Sequence, residues 1–187
     1  MKKVLYLLSG VILAAALMGC ASLSKDECLQ ANWYELGWRD GNQGKPRSLF
    51  QKHADACAKH SVRAEKTAYF RGRDDGLINF CTYDNGFSQG KSGKSYHYVC
   101  PPDLEASFLA GFSKGRKIYE YNRKVIALEK KMKMIDAEIQ KKEKLLYSSK
   151  VSKERRAILR SEIRQLDIKY RNTVRDLNEI RKMDPLS

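Results

Sequence analysis

The stretch YFRGRDDGLINFC, residues 69–81, is the part of the sequence that decides the fold. It is typical of a helix with aromatic residues at its start, yet it places Gly72 and Gly76 four positions apart. Each glycine inside a helix costs about 1 kcal/mol relative to alanine. Because glycines at i and i+4 share one side of a helix, they leave a shallow groove there. The stretch therefore predicts a helix whose glycine face is approached closely by another element.

The same frame occurs three times: an aromatic residue, a glycine three positions later and a second glycine four positions after that. The first glycines are 35 and 39 residues apart, which indicates a degenerate internal repeat. We expect three short helices packed glycine face to aromatic side chain in a small soluble domain. The alternative is that the groove admits a ligand backbone or a glycan strand. The repeat positions are Tyr34, Gly37, Gly41, Tyr69, Gly72, Gly76, Phe108, Gly111 and Gly115.

Residues 1–19 have the features of an export signal, with a cationic MKK start and the apolar run VLYLLSGVILAAALM. The run is short of the roughly 20 apolar residues that a membrane span needs. Leu17–Cys20 resembles the lipobox of bacterial lipoproteins, which implies cleavage before Cys20, a diacylglycerol on its sulfur and an acylated amino group. The alternative is an ordinary cleaved signal with a chance cysteine.

Several acyl chains on Cys20 would give stable membrane anchoring. Ala21 rather than Asp follows, and by the sorting rule of such lipoproteins this implies the outer membrane. We therefore expect a protein lipid-anchored in the outer membrane, with most of the chain in the periplasm and residues 20–27 as a short tether.

Four further cysteines, an even number in an oxidising compartment, predict two disulfides. Three pairings are compatible with the sequence. We favour Cys28–Cys57 and Cys81–Cys100, because each pair closes a local loop around one structural unit. Such loops are worth about 3 kcal/mol each in the chain-entropy model, which matters for a domain too small to bury a large core.

Two connecting segments lie between the repeats. Residues 82–102 predict loop and turn, because Asn85-Gly86 is a hairpin signal, and SYHYVC alternates enough for one short strand. Residues 47–62 predict a helix. Its expected buried side holds Leu49, Phe50, Ala54, Cys57 and Ala58.

Taken in order, the lipobox, NWYELGWRDGNQG, HADAC, YFRGRDDGLINFC, YHYVCPP and the last aromatic–glycine segment form a recognisable series. Together they resemble the Gram-negative lipoproteins grouped as domain of unknown function 2799, over residues 20–120 or so. The resemblance implies a lipid-anchored envelope protein and no established activity, so it supplies no catalytic residues.

One metal-ligand pattern stands out, since His53, Cys57 and His60 share a helix face. A structural zinc would want a fourth ligand, and His97 or Cys28 is available. Because a disulfide sulfur is a poor ligand and Cys57 is expected to be paired, we expect no metal and no cofactor.

The sequence holds no nucleophile-elbow serine and no free thiol beside a base, so we expect no enzymatic activity. Asp74 and Asp75 are adjacent and diverge by about 100° on a helix. Asp40 and Asp75 occupy equivalent repeat positions, which favours a shared structural role such as capping or pairing with arginine.

The chain changes character after Lys117. Apolar positions step by three and four in two runs, which is the seam of a coiled coil. YSSKVSKE interrupts them, and Ser149 or Ser152 can cap the second helix. We expect an antiparallel hairpin over residues 117–183; the alternative is one continuous rod that forms a homodimer. The seams are Val125, Leu128, Met132, Ile135, Ile139, Lys142 and Leu146, then Ile163, Leu166, Tyr170, Thr173, Leu177 and Ile180.

The chain is strongly basic, with a net charge of +14. Residues 117–184 hold 20 basic and 11 acidic side chains, a net charge of +9. Export excludes nucleic acid as the partner, so peptidoglycan, anionic lipid or an envelope protein remain. The alternative is a solvated surface that is merely basic.

The sequence thus predicts a mainly α protein: a disulfide-stapled helical domain over 28–116 with a short loop/β excursion, then a coiled-coil hairpin. We expect a non-enzymatic binding or structural module of the envelope. The alternatives are an accessory or assembly subunit docked through the coiled coil, and, third, a cell-wall or lipid-modifying enzyme.

Overall fold

The computed structural model describes residues 22–185, and the chain there is mainly α, as predicted. Within this range there are seven helices and no strand. The helices are α1 (Lys25–Leu29), α2 (Trp33–Asn42), α3 (Leu49–Ala58), α4 (Lys66–Phe80), α5 (Tyr83–Lys91), α6 (Pro102–Leu146) and α7 (Lys153–Arg181).

The chain divides into two compact units. The first unit contains the residues up to Thr82 together with Tyr96–Ser107, and the second contains Tyr83–Ser95 and the chain from Phe108 onward. The domain boundary expected at residues 116/117 falls inside the continuous helix α6. Residues 22–27, expected to belong to a tether, include most of α1. Cys20 and the lipobox lie outside the described residues.

In the first unit, α2 and α4 pack against each other through their glycine faces. A β-carbon on any of these glycines would overlap a backbone carbonyl oxygen of the opposite helix. The predicted packing of glycine against aromatic side chain is therefore wrong at these positions, where the partner is backbone. We call this arrangement the first glycine pair. Its contacts are Gly37 with Tyr69, Gly41 with Arg73, Gly72 with Tyr34, and Gly76 with Trp38.

The second unit contains a fourth copy of the frame. Residues 83–91 form α5, so the loop and turn expected from Asn85-Gly86 is wrong. The glycines of α5 pack against α6 as those of α2 pack against α4, and we call α5 with the first part of α6 the second glycine pair. Its contacts are Gly86 with Phe108, Gly90 with Phe112, Gly111 with Tyr83, and Gly115 with Phe87.

One glycine after each leading helix does face an aromatic ring. Gly44 has φ +63° and lies against Phe80, and Gly93 has φ +72° and lies against Tyr119. Both residues need the left-handed backbone, and a side chain there would collide with the ring. The two pairs thus share their turn as well as their helix contacts.

Both disulfides lie in the first unit, with the favoured pairing of Cys28 to Cys57 and Cys81 to Cys100. Residues 95–100 form no strand. Tyr96 orders this segment instead, since its hydroxyl donates to Glu105 at 2.9 Å and accepts from the Cys100 N–H at 3.1 Å. Burial, with the Glu105 hydrogen bond, raises the pKa of Tyr96 to about 12.

The hairpin forms as predicted, with α6 and α7 antiparallel along the expected seam. Arg181 reaches Glu129 at 3.0 Å near one end, and Lys142 reaches Glu162 at 2.8 Å near the other. Ser152 is the N-cap of α7 and accepts a hydrogen bond from the Arg155 N–H. Within residues 22–185, no helix is both long and apolar enough to cross a membrane.

Candidate functional site

A buried polar network lies where the first glycine pair meets α3. The Asp40 side chain accepts a hydrogen bond from the Tyr69 hydroxyl at 2.6 Å and lies 3.0 Å from His53 Nε2. Asp40, His53 and Tyr69 are all at most 5% exposed. Since an unpaired buried carboxylate would be costly, the two partners are what allow Asp40 to sit in the core.

The network keeps Asp40 ionised. Burial alone would raise the pKa of its carboxyl, but the hydrogen bonds with His53 and Tyr69 outweigh that effect and lower the pKa. The same environment raises the pKa of Tyr69, first through burial and then through its bond to Asp40. Tyr69 therefore acts as a fixed hydrogen-bond donor in this core.

His53 links the network to the start of the described chain. Its Nδ1 lies 3.0 Å from Ser22 Oγ, while its Nε2 faces Asp40. The next residue, Leu23, belongs to the hydrophobic core with Cys28, Trp33 and Cys57. Ser24 then caps α1 in a capping box with Glu27. The chain is consequently held to the domain from residue 22 onward.

Arg73 is a second buried polar group of the first pair. Its guanidinium donates to the Lys45 carbonyl at 2.8 Å, just beyond the turn that ends α2. Its Nε is buried without a hydrogen-bond partner among the described residues. Burial lowers the pKa of Arg73. This hydrogen bond joins the turn after α2 to α4.

Asp75 is the repeat equivalent of Asp40, and it has an equivalent partner. Tyr34 on α2 donates its hydroxyl to Asp75 on α4 at 2.8 Å, the mirror of Tyr69 on α4 donating to Asp40 on α2. The shared structural role expected of the two aspartates therefore exists, but tyrosine takes the place of the expected arginine. Asp75 is exposed, whereas Asp40 is buried.

The candidate zinc residues have other partners. Cys57 is bonded to Cys28, and His53 is hydrogen-bonded to Asp40 and Ser22. Residues 22–185 contain no group of three or more histidine, cysteine or acidic side chains placed to hold a metal ion. His60 follows the end of α3 and is half-buried.

Sequence reasoning considered His53 only as a metal ligand and missed its hydrogen bonds with Asp40 and Ser22. The expected buried side of α3 included Ala58, which is exposed, and left out His53 and Ala56, which are buried. One signal was available: Asp40 and Tyr69 both occupy fixed positions of the repeat, so the twofold relation of the copies could have paired them.

A second candidate site is the outer face of α6, on the side away from the seam. Its outward heptad positions from residue 123 to residue 144 hold five basic residues and no acidic residue. Other exposed charges of this stretch flank the seam: Lys124, Lys131, Asp136, Glu138 and Glu143. We call these five residues the basic face. They are Arg123, Lys130, Lys133, Lys141 and Lys144.

Two acidic residues of the hairpin form ion pairs between α6 and α7. Glu162 accepts from Lys142 at 2.8 Å, and Glu129 accepts from Arg181 at 3.0 Å. The Lys142 hydrogen bond lowers the pKa of Glu162, and the Glu162 bond in turn raises the pKa of Lys142. Among residues 22–185, no ion pair includes a residue of the basic face.

Both glycine pairs lie in a part of the chain that matches a known family. Residues 32–117 match the family described as "Protein of unknown function (DUF2799)". The match covers 86 of the 187 residues, and over this segment the chain is similar to that family. The matched segment begins with the N-cap residue of α2 and ends two residues after Gly115, so it contains both glycine pairs. The rest of the hairpin lies beyond it. No curated protein matches the chain, and no solved structure matches it either.

Proposed function

We propose that this protein is an outer-membrane lipoprotein that acts as a non-enzymatic binding module, and that its basic hairpin contacts peptidoglycan. The observation that carries the proposal is the basic face, five exposed cations over 22 residues without an outward acidic residue. At 1.5 Å per residue this face is about 33 Å long. Peptidoglycan supplies carboxylates along an extended polymer, which suits a long row of charges better than a single deep site.

The strength of such contact depends on many weak charges acting together. A single exposed ion pair contributes about 0.2–1 kcal/mol and is screened by salt. The five cations, which have no ion-pair partner among the described residues, can each contribute to binding the same polymer. The proposal therefore requires that binding fall steeply as ionic strength rises.

The buried network supports the non-enzymatic part of the proposal. Ser22, His53 and Asp40 are the residue types of a hydrolytic triad, in the same hydrogen-bonded order. A triad histidine must reach a leaving group, and His53 is 4% exposed within the core. We therefore assign His53 to positioning the N-terminal segment.

The test uses the full chain with Lys130, Lys133 and Lys141 changed together. We expect Lys→Glu at all three to abolish sedimentation with purified peptidoglycan at low salt, whereas Lys→Arg at the same positions retains it because the charge is kept. Far-ultraviolet circular dichroism checks that both variants are equally helical. Equal sedimentation of the two variants would show that the hairpin does not contact the polymer through this face.

A second candidate function, an accessory subunit docked through the hairpin, is favoured by one observation. Ile126 and Met134 lie on the same outer side of α6 and are 64% and 65% exposed. Exposed apolar side chains among cations suit a partner protein. Photocrosslinking from position 134 in intact cells discriminates the two functions, because a discrete protein adduct indicates docking and a polymer-bound product indicates peptidoglycan.

A further inference from the structure

The N-terminal segment is fixed to the domain much closer to Cys20 than a flexible tether would allow. Ser22 is hydrogen-bonded to His53, Leu23 is 5% exposed in the core, and α1 is tied to α3 by the Cys28–Cys57 disulfide. Cys20 precedes Ser22 by two residues. Because an extended chain spans at most about 3.6 Å per residue, the length of chain that joins them is at most about 7 Å.

The surface beside Leu23 has a groove with an exposed tryptophan at its edge. A groove of about 520 Å³ lies beside Leu23, between α1 and α2. Trp38 borders it and is 40% exposed, and Leu29 at the end of α1 is 59% exposed. Tryptophan favours the boundary between lipid and water, where its ring is buried and its N–H is hydrated. The groove is lined by Leu23, Glu27, Gln30, Ala31, Asn32, Glu35, Leu36, Trp38 and Arg39.

We infer that this α1–α2 face lies against the phospholipid leaflet that holds the acyl chains of Cys20, with Trp38 at the level of the headgroups. The inference rests on the lipid anchor of the proposed function. It adds that the domain is apposed to the membrane, since about 7 Å of chain cannot lift a folded unit clear of the headgroup layer.

Electrostatic attraction does not hold the α1–α2 face against the membrane. Glu27 and Glu35 stand beside Arg39 in the groove, so the face is not the basic surface that anionic lipids attract. The acyl chains supply the attachment, and the geometry of Ser22 sets the orientation. Vesicles of zwitterionic phospholipid are therefore sufficient, and the contact is insensitive to salt, in contrast to the binding expected of the basic face.

The two tryptophans of the chain make the contact measurable. Trp33 is 4% exposed in the core, so it serves as the internal control for Trp38. Full-length acylated protein is reconstituted into zwitterionic vesicles with and without brominated acyl chains. With Trp33→Phe, only Trp38 emits, and we expect brominated lipid to quench it roughly twofold, as for an interfacial tryptophan. With Trp38→Phe, only Trp33 emits, and we expect little quenching.

A linker variant separates anchoring from apposition. Inserting about ten Gly/Ser residues between Ala21 and Ser22 adds a flexible chain with a root-mean-square span of about 18 Å. We expect this variant to stay on the vesicles while the quenching of Trp38 is lost. Retained quenching in the linker variant would contradict the role of the short connection.

Failure of the membrane apposition and failure of the lipid anchor give different results. Acylated, vesicle-bound protein with unquenched Trp38 overturns the apposition alone. A mature N-terminal peptide whose mass shows no acyl chains on Cys20 overturns the anchor and, with it, this inference. Peptidoglycan sedimentation bears on neither result.

Discussion

The two glycine pairs have the same backbone contacts but different polar chemistry. In both, four glycines meet four carbonyl oxygens, and a left-handed glycine faces an aromatic ring. The first pair adds Asp40 and Asp75, each bonded to a tyrosine of the opposite helix. The second pair has Gln89 and Lys114 at those positions, and Phe108 at the position of Tyr69. Close packing of glycine against backbone is thus the common scaffold, and the aspartate network is an addition to one copy.

The difference extends to how each unit is held together. The first unit has both disulfides and the hydrogen-bonded chain of Asp40, His53 and Ser22. The second unit has no cysteine and gains its apolar burial along the seam, where Leu159, Leu166 and Leu177 are buried. One unit is cross-linked locally, whereas the other is stabilised by a long helical contact.

Reducing both disulfides should have the largest effect, confined to the first pair. Each bond closes a loop of 29 or 19 residues and is worth about 3 kcal/mol. Hydrogen exchange resolved by peptide should show lost protection in α2 and α4 and unchanged protection in α5. Equal loss in both pairs would mean that they unfold as a single cooperative unit.

Gly41→Ala and Gly90→Ala should destabilise their respective pairs by similar amounts. The new β-carbon would overlap the carbonyl oxygen of Arg73 or of Phe112, and overpacking against backbone costs about 3 kcal/mol. Denaturant unfolding of each variant measures the loss. Asn79→Ala, at an exposed position of α4, is the control and should be neutral or slightly stabilising. A harmless alanine at either glycine would refute the close approach there.

Tyr69→Phe should lower the free energy of unfolding by about 2 kcal/mol, because it removes a donor from a buried, charged acceptor. The matched change Tyr34→Phe should cost about 0.5 kcal/mol, since Asp75 is exposed and water replaces the lost donor. Urea titrations of the two variants compare them directly. Equal costs would remove the distinction drawn between the buried and exposed aspartates.

Acid should weaken the first pair through Asp40, with a smaller effect than the tyrosine change. The native pKa of Asp40 lies below its ordinary value of about 3.9. Its contribution is therefore complete above that value and is lost as the pH falls through the native pKa. Stability measured from pH 6 to pH 3 should decline less in Asp40→Asn than in the natural protein. Parallel pH profiles would exclude Asp40 as a source of acid sensitivity.

The structural features that depend on short-range periodicity could be predicted from the sequence. The three-and-four spacing of the seam identified the hairpin, because a helix repeats its buried face locally. The aromatic–glycine frame identified α2, α4 and the start of α6 for the same reason. Loop lengths favoured the disulfide pairing because each bridge closes around a neighbouring segment.

Prediction from the sequence fails where a contact with a residue distant in the chain outweighs the local sequence pattern. Asn85-Gly86 has the composition of a hairpin turn, but its glycine packs on the backbone of α6 and the segment becomes helical. His53 is polar and was not expected in the core, because the carboxylate that accommodates it is 13 residues away on another helix. The candidate site depends on such contacts, so less of it than of the fold could be predicted.

Lys142 carries a consequence for how the hairpin selects its own partner. It occupies a seam position among apolar residues, and its charge is satisfied by Glu162 of α7 at 2.8 Å. A parallel pairing of two identical α6 helices would bring two Lys142 ammonium groups together, with like charges in place of this ion pair. A slip of the hairpin by one heptad would also leave the lysine without its carboxylate. One polar residue in the seam therefore favours this register of the hairpin and disfavours a parallel pairing of two α6 helices.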